Sequence, residues 1–186
     1  MRVKRDLLAG EWAVLALLCE EPRHGYAVAA LMAPDGEIGR VWSLRRPMTY
    51  RALSSLQKLG LAEVDSVEES ESAPNRTLIR ATPQARELLD AWLVTPEPHV
   101  RDLRSLLLLK IQFLRRRGRS LEPLLRPQRA RLADQVEALA DRADDGDELA
   151  EMLVRWRCAM TEAALGFVDD VLEREAAQTP RGSLRA

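Results

Sequence analysis

Leu149, Leu153, Trp156, Met160, Ala163, Phe167 and Val171 recur at spacings of three and four, which predicts one amphipathic helix over residues 147 to 177. At 1.5 Å per residue that helix is about 45 Å long. A stripe of this length needs a partner. Two helical segments precede it: one has its apolar stripe at Val100, Leu103, Leu107, Ile111 and Leu114 and is ended by Gly118; the other is opened by Pro127, with Leu132, Val136, Leu139 and Ala143 inward, and is broken by Asp144 to Asp147. They cover only part of the long stripe. The expected occupant of the rest is a second copy of the chain, so its seven residues are the expected homodimer interface. Arg115, Arg116 and Arg117 fall in the last turn before Gly118, where cations complement the helix dipole, and are read that way rather than as a nucleic-acid patch.

The first half is punctuated differently. Between Glu37 and Glu63 there is no acidic residue, yet Arg40, Arg45, Arg46, Arg51 and Lys58 all lie there, in a chain with 29 Asp and Glu. Pro47 suits a first helical position and Gly60 a C′ position, so the block reads as a helix. At 100° per residue, Met48, Ala52, Leu53, Leu56 and Leu59 share one arc, and Tyr50, Arg51, Ser54, Gln57 and Lys58 share the other. One face packs. The other offers cations, hydroxyls, an amide and a phenol with no carboxylate to repel phosphate, as a DNA-reading helix requires. A basic face that is merely solvated is the plain alternative, and the flanking elements decide between the two.

Net charge is −1, so no global field draws nucleic acid, and any contact must come from a local patch. Upstream, Leu7 to Glu20 carries a helical period at Leu8, Trp12, Leu15 and Leu18/Cys19. Arg23-His24-Gly25 reads as a break, with His24 capping or turning the chain, and Tyr26 to Ala33 as a second helix. Asp35-Gly36 is a turn and Val41-Trp42 a brief extended piece. Downstream, Leu61 to Asp65 and Arg76 to Thr82 alternate as strands around a polar loop, and Thr82-Pro83 caps a fourth helix ending near Leu93. Three helices followed by a hairpin make a winged helix-turn-helix. The expected fold is mainly α with a small β-hairpin wing. Residues 1–94 form the DNA-binding domain, 95–179 a helical dimerisation domain after a Thr95-Pro96-Glu97-Pro98 linker, and 180–186 a disordered tail.

Glu11-Trp12-Ala13-Val14-Leu15, His24-Gly25-Tyr26, Arg46-Pro47, Tyr50-Arg51-Ala52-Leu53 and Leu59-Gly60-Leu61, in that order, resemble the winged-helix domain of the PadR (phenolic-acid repressor) family of transcriptional regulators. The likeness runs from about Leu7 to Trp92. It implies a homodimeric DNA-binding transcription factor, usually a repressor, whose basic helix enters the major groove while the wing touches the backbone. Tyr50 and Arg51 match the family's recognition-helix pair. The C-terminal stripe is similar to the coiled-coil-like dimerisation domain of its larger members.

The expected DNA contacts are therefore Arg45, Arg46, Thr49, Tyr50, Arg51, Ser54 and Lys58 from the helix, with Asn75, Arg76 and Arg80 from the wing. Glu63, Asp65, Glu68, Glu69 and Glu71 would repel phosphate, so the wing is expected to touch DNA only through its tip and second strand. Trp92 and Trp156 are the candidates to stack on a small aromatic effector that releases the repressor. Lys110 falls on an apolar face, where it must snorkel or pair.

The two histidines and two separated cysteines present no metal-ligand spacing, and no phosphate-cradling or nucleophile signature appears, so neither a cofactor nor an enzyme is expected. Cys19 and Cys158 sit in apolar helical patterns as free thiols, which suits a reducing cytoplasm, and no N-terminal run is long enough for a membrane or a secretory signal. The competing reading is a winged-helix module for protein–protein assembly that has lost DNA binding.

Overall fold

Helix α1 (Ala9–Glu20) is buried on every side, with Ala13 through Leu18 all inaccessible. The expected stripe is thus only a part of its contact surface. Leu8 lies outside that surface: it is the exposed N-cap residue, and its backbone N–H donates to the Glu11 carboxylate at 2.9 Å. The computed structural model describes residues 6–68, 76–140 and 148–178. They divide into two units, Met1–Leu93 with Leu108–Phe113, and Val94–Leu107 with Leu114–Ala186. Ala143, Asp144 to Asp147 and the tail at 180–186 lie outside the described residues.

In the first unit the expected break at Arg23-His24 is a two-residue strand, β1 (Arg23–His24). It pairs antiparallel with β3 (Arg76–Ala81), and β3 pairs with β2 (Ala62–Glu68), giving the order β1-β3-β2. His24 holds the edge through Nδ1, 3.3 Å from the Thr77 carbonyl, and its backbone is the N-cap of α2 (Gly25–Leu31). Val41 and Trp42 are not extended either. Both N–H groups bond to the Ile38 carbonyl, at 2.9 and 3.1 Å, in a run of turns that leads to α3 (Arg46–Lys58).

Gly60 ends α3 at φ 70°, a conformation that costs a residue with a Cβ, and the chain enters β2 directly. Thr82 then works in two directions: its hydroxyl donates to the Gly60 carbonyl at 3.0 Å and accepts from the Ala85 N–H at 3.3 Å, which caps α4 (Pro83–Val94). Trp92 of α4 stacks on Trp12 with centroids 4.5 Å apart and planes 8° from parallel. Lys110 is wholly buried with Nζ 4.8 Å from the Trp92 ring centre, so the cation lies on an aromatic face rather than in bare hydrocarbon.

The second unit is helical. Its first turn, α5 (Val100–Asp102), leads into a wider π-helical stretch, Leu103–Leu107, and then α6 (Leu108–Arg116), whose Leu108–Phe113 belong to the first unit. Pro127 does not open the next helix; it lies inside α7 (Glu122–Ala140), where its missing N–H leaves the Pro123 carbonyl without its i→i−4 donor. Leu121, Leu124, Leu125 and Leu132 of this region are buried, as are Thr161, Val168 and Val171 of α8 (Glu148–Gln178), which packs on α7. The Pro96-Glu97-Pro98 linker is pinned, because Gln128 accepts the Glu97 N–H at 2.7 Å and returns its amide to the Glu97 carbonyl at 3.1 Å. Among the described residues no helix is long and apolar enough to cross a membrane.

Candidate nucleic-acid interface

α3 packs through Thr49, Ala52, Leu53 and Leu56, and α1 and α2 are among its neighbours. Its solvent side carries Arg46, Tyr50, Arg51, Ser54, Gln57 and Lys58, with Arg45 exposed at the N-cap. Among the described residues none of Arg45, Arg46, Arg51 and Lys58 pairs with a carboxylate. The first turn holds no acid, and two arginines sit at the end where the helix dipole is positive. A helix selected for its own stability would place carboxylates there. The arrangement is unfavourable for the isolated protein and favourable for an incoming polyanion.

One contact on this face escaped the sequence analysis. The Arg46 guanidinium carbon lies 5.4 Å from the ring centre of Tyr26 and 5.9 Å from that of Tyr50. Tyr26 is the second residue of α2 and is 66 % exposed, and Tyr50 is 43 % exposed, so neither ring is there chiefly for the core. Gly25 leaves room for the group, since a Cβ there would come within 2.7 Å of the Tyr50 ring. The His24-Gly25-Tyr26 triplet was the available signal, but nothing in it tells that its tyrosine meets Arg46.

Thr49 requires a correction. It is fully buried and its hydroxyl has no hydrogen-bond partner, while Met48, expected on the packing face, is 43 % exposed. The angular spacing accounts for this, because Thr49 falls between Leu53 and Leu56 on the helix surface and Met48 lies at the border of the arc. Thr49 cannot meet DNA in this conformation. Thr49→Val is therefore expected to raise stability by about 1 kcal/mol, by removing an unsatisfied buried hydroxyl, and to leave DNA affinity as it was. Thermal unfolding and a binding titration check the two halves, and a loss of affinity would return Thr49 to the interface.

In the wing, one expected contact residue is held within the sheet. Arg80 donates to Glu63 at 2.8 Å and lies 3.3 Å from Asp65, so its charge is taken up by the sheet's own acids. Glu63 and Arg80 are a cross-strand pair, which makes this contact a consequence of register. A shift in register between Val64 and Ser66 leaves Val64 and Val67 on the inner face beyond the core, both about half exposed. Asn75 lies outside the described residues, as do Glu69 and Glu71. Arg76 is described only as the start of β3.

In the second unit α8 has two apolar stripes. Thr161, Val168 and Val171 face α7, which corrects Val171, expected at a dimer interface, to an intrachain contact. Leu149, Met152, Leu153, Trp156, Met160 and Phe167 are each at least 42 % exposed, and Ala163 lies exposed on the same stripe. Trp156 and Met160 also line a groove of about 730 Å³ with Pro98, Val100 and Leu139. Trp92, the other tryptophan expected at an effector, is occupied by Trp12 and Lys110.

No family model and no curated protein matches the chain. Among solved structures it is similar to Bacillus subtilis PadR in complex with operator DNA, at 15 % identity, 92 % of this chain and 99 % of that one, with a TM-score of 0.47. It is similar to a second structure of Bacillus subtilis PadR, at 16 % identity, 94 % and 99 % coverage and a TM-score of 0.42. A PadR-like transcriptional regulator from Bacillus cereus is 21 % identical, with 92 % and 98 % coverage and a TM-score of 0.41. The resemblance to the PadR family of winged-helix regulators rests on the ordered motifs of the sequence.

Proposed function

We propose that this chain is a sequence-specific DNA-binding transcriptional regulator, acting as a homodimer on a palindromic operator, with repression the role its resemblance implies. The observation that carries the reading is α3: an exposed face of unpaired cations, free of acid, on the third helix of a winged helix-turn-helix. In that fold the helix enters the major groove, and base edges are read from its N-terminal residues. The exposed α8 stripe supports the dimer, because a contiguous apolar row of this size is uncommon on a monomer surface. Two copies of α3 held about one DNA turn apart read two half-sites. Control by a small aromatic effector stays in this reading through Trp156 and its groove, not through Trp92.

The test is a salt titration of binding to DNA from upstream of the chain's own coding region. Affinity is expected to fall steeply with salt, with a slope set by the phosphates neutralised, and footprinting is expected to show two half-sites. The second reading, a protein–protein module, is favoured by the wing, where Arg80 is held by Glu63 and Asp65 while Val64 and Val67 are exposed. Absence of any salt-dependent binding would select it.

A further inference from the structure

We infer that Arg46 is the base-reading side chain at the start of α3, taking the O6 and N7 acceptors of a guanine, and that Tyr26 and Tyr50 are the positioning residues that aim it. The inference rests on the DNA-binding reading above and deepens it.

Three observations converge on this residue. Arg46 is the first residue of α3, where a recognition helix meets base edges. Unlike Arg45, Arg51 and Lys58, which have no ring contact among the described residues, it lies within 6 Å of two ring centres. Those rings come from two helices, α2 and α3, so the guanidinium is located relative to both and not by its own flexible stem. A guanidinium on an aromatic face keeps its N–H donors, because they point outward in its own plane. The fork then remains available to the paired acceptors that only guanine presents in the major groove.

Both tyrosines are substantially exposed, and no carboxylate among the described residues pairs with Arg46. Holding a long side chain in one orientation before binding removes part of the ordering cost that binding otherwise bears. Arg45, beside it in sequence, lacks such support and suits a phosphate, which tolerates a loosely aimed charge.

The experiment is selection from a random duplex DNA library with the full chain, followed by affinities for the selected duplex and for versions with one guanine replaced. The unaltered chain is expected to enrich duplexes with a guanine at a fixed position in each half-site. Arg46→Lys, which keeps the charge but not the fork, is expected to lose about tenfold of the preference for that guanine. Tyr26→Leu is expected to lose a large part of the same preference, and Tyr26→Phe to restore it, since Phe returns the ring face without the hydroxyl. A role in folding alone would shift thermal unfolding and total affinity without changing which base is preferred. If Arg46→Lys or Tyr26→Leu selects the same guanine as strongly as the unaltered chain, the inference falls while DNA reading stands. If the unaltered chain enriches no sequence, both fall together.

Discussion

With Leu153 and Trp156 both changed to glutamate, the chain is expected to sediment as a monomer, and the unaltered chain at the same concentration as the proposed dimer. These side chains are exposed in the single chain, on the α8 stripe with Leu149, Met152, Met160 and Phe167. Burying each against a partner stabilises the pair by about 1.5–3 kcal/mol, and a carboxylate at the same place adds a desolvation cost. Losing two such side chains is thus expected to loosen the dimer about a hundredfold or more. Circular dichroism should be unchanged, because α8 is held to α7 through Thr161, Val168 and Val171 on a different side. Affinity for a two-half-site operator should fall steeply as well, since two linked contacts bind far more tightly than one. Point changes are a cleaner test than deleting α8, which would also strip α7 of its packing. A dimer that survives both substitutions would place the interface elsewhere.

Arg51→Ala and Lys58→Ala address the other surface. Both are exposed on α3, away from Leu53 and Leu56, and neither has a carboxylate partner among the described residues. Their removal should therefore leave folding intact. Lys58→Ala is expected to weaken all sequences alike and to lower the salt slope by about one, as loss of a phosphate contact does. Arg51→Ala is expected to relax specificity at one position of each half-site, at a cost of about 1–3 kcal/mol. Together they should reduce operator affinity about a hundredfold, measured by titration at fixed salt. Unchanged affinity in a folded double variant would mean that α3 is not the helix that meets DNA.

Long periodic elements were legible from the residues alone. α8 runs over Glu148–Gln178 against an expected 147 to 177, and α3 lies within the acid-free block and is closed by Gly60 with positive φ just beyond its C-cap. The hairpin and the Thr82 cap also follow from local pattern, because alternation and capping act over a few neighbouring residues. An exposed side to α8 followed from the length of its stripe. The sequence by itself determined these elements and the charge of the α3 surface.

Tertiary structure decided how each element is turned and what its border residues meet. The spacing of α3 already sets Thr49 inside the apolar arc, but whether Met48 at its border is covered is decided by packing, which leaves it exposed. β1 is two residues long, too short for any period, and exists only because β3 offers it an edge. Glu63 and Asp65 neutralise Arg80 through strand register, Trp12 and Trp92 meet from opposite ends of the first unit's sequence, and Gln128 closes on Glu97 across a helix. The meeting of Tyr26 with Arg46 is of the same kind. Local pattern records the preferences of neighbouring residues, whereas these contacts join residues far apart in the chain and form only when several elements are packed at once.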